Sequence, residues 1–76
     1  MKDILTSLVK SIVDAPDAVN VEEHDDNGFV TLTISVASED MGKVIGKEGK
    51  VIRALRNVMK IPAMKQGKKV QISLAE

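Results

Sequence analysis

Two glycines three residues apart, Gly46 and Gly49, sit inside the run Val44-Ile45-Gly46-Lys47-Glu48-Gly49-Lys50-Val51-Ile52, and they constrain this chain more than any other feature. An apolar pair precedes them, and a helix-forming alternation of charge and hydrophobe follows. Without a Cβ, the backbone at these two positions can turn sharply and approach another backbone closely. Lys47 adds a cation to the turn. Gly49 opens a helix whose free N–H groups favour anions. Two familiar phosphate motifs fail here. A P-loop needs four residues between its glycines and a hydroxyl after the lysine. Gly42 and Gly46 enclose only three, and Glu48 stands where the hydroxyl belongs. A dinucleotide fingerprint needs a glycine two before Gly46, where Val44 stands. A competing reading is a corner between two helices that needs glycine for geometry alone.

The charge distribution favours an anion-binding role. The 76 residues have zero net charge, yet residues 1–40 hold two cations and nine acids, and residues 41–76 hold nine cations and two acids. Halves of −7 and +7 point to a polyanion-binding face, or to two solvated surfaces that attract each other within the fold. The length suits one small domain, residues 1–76, that buries about 60% of its unfolded surface. Apolar residues at 43% are enough for a globular core, and the absence of cysteine excludes disulfides and thiolate metal sites. No apolar run reaches the roughly 18 residues of a membrane span. Met1-Lys2-Asp3 leads into a stripe-patterned helix and not into a signal-peptide core. A cytoplasmic protein is expected, with no membrane partner.

Ile4, Leu5, Leu8, Val9, Ile12 and Val13 recur at helical spacing and predict a helix over 2–14, ended by Asp14-Ala15-Pro16-Asp17. Val19 and Val21 alternate with polar residues as a short strand. Asp25-Asp26-Asn27-Gly28 is turn chemistry, and Val30, Leu32, Ile34 and Val36 alternate with Thr31, Thr33 and Ser35 as the clearest strand in the chain. The two strands predict an antiparallel hairpin. Ser38 is placed to cap the next helix, with Glu39 and Asp40 at its positive end and Met41, Val44 and Ile45 on its apolar side. After the glycine loop a longer helix is expected from about Lys50 to Lys60. Its buried stripe is Val51, Ile52, Leu55, Val58 and Met59, and its cationic ridge is Lys50, Arg53, Arg56 and Lys60. Pro62 ends or kinks it, with one further turn available through Ala63–Gln66 before Gly67. Lys69–Leu74 alternates as a last strand. The order is α-β-β-α-α-β, an α+β fold.

At Ile45, Gly46, Gly49 and Ile52 the run resembles the KH-domain signature, apolar-Ile-Gly-x-x-Gly-x-x-Ile, and the element order resembles that of a type II KH domain. A βααβ crossover returning into one sheet makes its flanking strands parallel, so a three-stranded mixed sheet is expected, its central strand antiparallel to the first and parallel to the last, with three helices packed on one face. The resemblance implies that single-stranded RNA of about four nucleotides is clamped beside the glycine loop. Carried onto this chain, the backbone of Gly46, Lys47, Glu48 and Gly49 meets sugar-phosphate. Lys47 supplies a cation, flanked by Lys43, Lys50 and Arg53. Val44 and Ile45 offer apolar surface to bases, and Ile52 anchors the helix in the core. Phe29, at the hairpin, is the one aromatic residue, which argues against tight sequence-specific binding. Glu48 departs from a fully basic loop, and its carboxylate lowers affinity unless it turns away to cap the next helix.

The full-length match, Arg53-x-x-Arg56 and Gly67-Lys68-Lys69-Val70 narrow the resemblance to the bacterial KhpA family of small stand-alone KH proteins. Pro62 departs from that family's alanine-rich helix end. The resemblance implies a cytoplasmic RNA-binding protein or RNA chaperone. It would act as a homodimer or with a larger KH-containing partner of the KhpB/Jag/EloR kind, in the regulation of cell elongation, division and envelope. The alternative is a KH-fold protein-interaction (dimerisation) module with weak or no RNA binding. Catalysis is not expected, nor a cofactor or metal. The single histidine, His24, lies among carboxylates that the hairpin already explains.

Overall fold

A computed structural model describes residues 1–75. Its helices are α1 (Lys2–Lys10), α2 (Met41–Ile45) and α3 (Lys50–Lys65), and its strands are β1 (Asn20–Asp26), β2 (Phe29–Ser35) and β3 (Lys69–Leu74). The order is the α-β-β-α-α-β read from the sequence. The strands form one sheet in the order β1-β2-β3, with β2 antiparallel to β1 and parallel to β3. The mixed sheet predicted from the crossover is therefore present.

The period-two pattern of β2 sets the sheet's inner face. Val30, Leu32 and Ile34 are fully buried, and the register places Val21 opposite Ile34 and Ile72 opposite Leu32. Leu5 and Val9 of α1, Val44 of α2, and Leu55, Met59 and Ala63 of α3 cover that face. The odd-numbered residues of β2 face the other way, so Thr31 and Thr33 lie among exposed polar side chains of β1 and β3. One covered and one wetted face is the usual state of a sheet with antiparallel pairing.

The hairpin turn is Asn27-Gly28, with φ of 53° and 87°. Two successive positive φ values match the right-handed twist of the flanking strands. Gly28 N–H donates to Asp25 Oδ1 (3.0 Å), Lys68 Nζ donates to Asp25 Oδ2 (2.6 Å), and Lys69 N–H donates to the Gly28 carbonyl (2.9 Å). These bonds tie the turn to the start of β3. The Lys68 hydrogen bond, followed by that from Gly28, holds the Asp25 carboxyl below its ordinary value, and Asp25 raises Lys68 in return.

Several element ends differ from the sequence expectation. α1 stops at Lys10, four residues short of Asp14, because the N–H groups of Asp14 and Ala15 donate to the buried carboxylate of Asp40 (3.2 and 3.0 Å) instead of to a helix. β1 runs on through the acidic stretch to Asp26, since each residue finds a ladder partner on β2. Ser38 does not cap α2. It begins a 3₁₀ turn, Ser38–Asp40, closed by the Asp40 N–H to the Ala37 carbonyl (2.8 Å). α3 passes through Pro62 to Lys65 as one helix. Proline deprives the Val58 carbonyl of its helical donor, and Val58 is 44% exposed, so water can serve it. The same exposure removes Val58 from the predicted buried stripe, and Ala63 joins it.

Candidate nucleic-acid interface

α2 ends and α3 begins within four residues, and the glycines make that junction possible. Gly46 closes α2, its N–H donating to the Gly42 carbonyl (2.8 Å), and then turns out with φ 77° and ψ 171°. A Cβ built at Gly46 would sit 2.4 Å from a Val51 methyl and 2.8 Å from the Val51 backbone nitrogen. No other residue fits there. Gly49 has room for a side chain but holds φ at 75° in the left-handed region. Between them the chain makes a tight turn, the Gly49 N–H donating to the Gly46 carbonyl (3.2 Å), with Glu48 also left-handed at φ 57°. Non-glycine residues hold that conformation at a cost of about 1–3 kcal/mol, and it concentrates where a surface must present backbone in a set shape.

Arg53 secures this turn. Its Nε donates to the Gly49 carbonyl (3.3 Å) and a terminal NH2 nitrogen to the Glu48 carbonyl (2.9 Å). Two carbonyls that would repel a phosphate are thereby occupied, while the Gly46 and Gly49 N–H groups bond inside the loop, to the Gly42 and Gly46 carbonyls (2.8 and 3.2 Å). The sequence placed Arg53 as a flanking cation; in the fold its guanidinium is a strap on the loop. Lys43 is also engaged. Its ammonium is hydrogen-bonded to Asp14 and lies 3.9 Å from Asp40, and the Asp14 bond raises its pKa above the usual lysine value. Lys47 and Lys50 form no ion pair among the described residues, nor do Arg53, Arg56, Lys60, Lys65 or Lys69. Among the described residues the two oppositely charged halves thus form ion pairs only at Lys43 and Lys68, and most of the basic half is open to an external anion.

The apolar side of the site needs one correction. Val44 is fully buried in the core and presents nothing to a base, because the short α2 turns that position onto the sheet. Ile45, the next residue, is exposed. Ile52 packs against the core, as expected. The Glu48 side chain is exposed and makes no capping bond to α3, so the charge-relieving arrangement considered for it is absent.

Residues 2–74 match the family described as KhpA/KhpB, KH domain. This chain belongs to the KhpA/KhpB family of KH domains. It is 45% identical to the RNA-binding protein KhpA of Clostridium acetobutylicum over 97% of this chain and 99% of that protein. It is 41% identical to the RNA-binding protein KhpA of Halalkalibacterium halodurans over the full length of both. The corresponding protein of Chlamydia caviae is 36% identical over all of this chain and 97% of its own length. No solved structure gives a significant match.

Within this KhpA/KhpB domain, sequence reasoning missed the role of Asp40. Its carboxylate is buried, accepts from the Asp14 and Ala15 N–H groups, and lies beside Lys43, so it pins the α1–β1 connection to the helix that carries the glycine loop. The only sequence signal was an acid beside a capping serine, which reads equally well as a dipole charge. Among the described residues no group of three or more His, Cys, Asp or Glu side chains is arranged to hold a metal ion. None of the described helices is long and apolar enough to cross a membrane.

Proposed function

We propose that this protein binds single-stranded RNA, clamping the sugar-phosphate chain against the Gly46-Lys47-Glu48-Gly49 backbone. Lys47 and Lys50 are the cations at the turn without ion-pair partners among the described residues. Ile45 is the apolar contact for a base, and Arg53 holds the loop in shape. Lys43 contributes if the RNA draws it from Asp14. The observation that carries this reading is the loop itself. A backbone that only glycine can form at Gly46, strapped from behind by Arg53, stands amid cations with no partners among the described residues. The name RNA-binding protein borne by full-length relatives supports it. The same reading takes the protein to be a cytoplasmic RNA chaperone acting with a KhpB/Jag/EloR-like partner in cell elongation, division and envelope regulation.

The test is a titration with a short pool of single-stranded RNA at two salt concentrations, run beside a Lys47→Asp/Glu48→Asp loop variant. Binding that weakens with salt and disappears in the folded variant supports the clamp. Binding indifferent to the loop overturns it.

A second reading has its own observation. Val58 (44% exposed) and Ile61 (59% exposed) lie three apart on one flank of α3, with exposed Ala54 a turn before them. An apolar flank on a helix whose other side is already in the core suits docking of a second copy or a related KH chain. Light scattering after size exclusion distinguishes this interaction module from a monomeric RNA clamp.

A further inference from the structure

At the far end of α3 from the glycine loop lies an open cavity of ≈ 330 Å³. Its apolar lining is Phe29, Ala63, Met64 and Val70. Lys60, Lys68 and Lys69 stand around it. Phe29 is the chain's one aromatic residue, yet it is 45% exposed, and Met64 is 76% exposed. A large apolar pair left in water in the lining of a concavity marks a binding surface more often than a packing defect.

What the cavity takes is indicated by what leads to it. α3 carries five cations and no acid over residues 50–65. Arg53, Arg56, Lys60 and Met64 follow one another at spacings of three and four, so they form one stripe along the helix. Its first member straps the glycine loop, and Lys60 and Met64 line the cavity. The stripe has no ion-pair partners among the described residues. Like charges so spaced destabilise an isolated helix, so the fold bears a cost for them. Of the lysines around the cavity, Lys68 is committed to Asp25, and Lys60 and Lys69 are free among the described residues. The charged groups of the lining are therefore cationic, with one aromatic ring among them, which is the composition that receives a base and its flanking phosphates.

We infer that single-stranded RNA continues past the clamp along the Arg56–Lys60 stripe and stacks a base on Phe29 in this cavity, with phosphates on Lys60 and Lys69. This rests on the clamp reading and extends it. From Lys50 to Met64 the helix rises about 21 Å. The bound strand is then longer than the roughly four nucleotides that a KH clamp holds by itself.

The experiment compares a tetranucleotide with a decanucleotide of the same mixed composition, titrated against wild type, Phe29→Leu, Lys60→Gln/Lys69→Gln, and the loop variant above. Phe29→Leu keeps apolar bulk at a half-exposed position and removes only the ring, and circular dichroism verifies its fold. The expected result is that wild type binds the decamer more tightly than the tetramer. Phe29→Leu then loses about tenfold on the decamer and nothing on the tetramer. The double lysine variant shows a shallower salt dependence on the decamer alone. The loop variant loses both lengths. Decamer binding untouched by Phe29→Leu and by the lysine pair, with the loop variant still inactive, overturns the extended path and leaves the clamp standing; the cavity would then belong to a protein partner. Equal losses on both lengths also overturn it. Failure of wild type to bind either length removes the clamp reading, and with it the extension.

Discussion

At the scale of single residues, the glycines of the loop are not interchangeable. Gly46 meets both requirements that exclude a side chain, a positive φ and a neighbour at 2.4 Å. Gly46→Ala is expected to cost about 2–4 kcal/mol, combining the left-handed penalty with displacement of Val51. Gly42, on the open side of α2 with nothing near its Cβ position, behaves oppositely. Gly42→Ala should stabilise by about 0.5–1 kcal/mol. Denaturant unfolding of the two variants checks both signs, and a comparable loss for each would refute this account of the turn. The spacing of Gly46 and Gly49 was legible in the sequence because glycine is the residue that such a turn selects. Arg53's part was not legible. Its acceptors, the Glu48 and Gly49 carbonyls, are aimed by φ values that no residue type announces at position 48. Glu48 itself is exposed and uncapped, so Glu48→Gln, which keeps the backbone and removes the charge, should tighten RNA binding several-fold, worth about 1 kcal/mol at most in a water-exposed setting.

At the scale of elements, the strands and helices with strong periodicity were readable, and the ends set by distant partners were not. β2 announced itself by four alternating apolar residues, and its central place in the sheet followed from the crossover. The end of α1 depends on Asp40, 26 residues beyond Asp14, and local pattern carries no trace of that contact. α3 continuing through Pro62 is another tertiary override: Ala63 is buried, and the Lys68 N–H reaches back to its carbonyl (2.8 Å), so packing holds the last turn against the proline. Asp40 therefore binds elements together more than it tunes a helix dipole. Asp40→Asn retains one acceptor oxygen and buries an amide that has no acceptor to meet. It should cost about 1–3 kcal/mol. Hydrogen exchange checks the location: the Asp14 and Ala15 amides should lose protection while those of β2 keep theirs. Uniform loss across the sheet would mean that Asp40 supports the whole core.

At the scale of the whole molecule, the separation of charge shapes both stability and binding. The Asp25–Lys68 pair gives the pH dependence a definite sign. Asp25 titrates below its ordinary value of about 3.9 in the fold, so the unfolded chain binds the proton more readily. The pair's contribution is complete above that ordinary value and fades as pH falls through the lower folded one. Lys68 titrates above its ordinary value of about 10.4, so its share is complete below that value and fades as pH climbs through the higher folded one. The stability difference between wild type and Asp25→Asn should be level between about pH 5 and 9 and shrink toward acid. A difference that grows toward acid would assign Asp25 the opposite role. Salt tests the other half of the charge pattern. If about four phosphates are neutralised on the basic face, log K should fall with log salt at a slope near −3, about fiftyfold between 50 and 200 mM. Lys47, which has no ion-pair partner among the described residues, should account for about 0.7 of that slope, measured as the difference between wild type and Lys47→Gln. Lys43 begins bound to Asp14, so a phosphate gains from it only what it takes from that carboxylate. Lys43→Gln should move the slope by less than Lys47→Gln does. Equal changes for the two would mean that RNA frees Lys43 from Asp14 completely, and a flat salt response in wild type would mean that the open cations of this face do not meet phosphate at all.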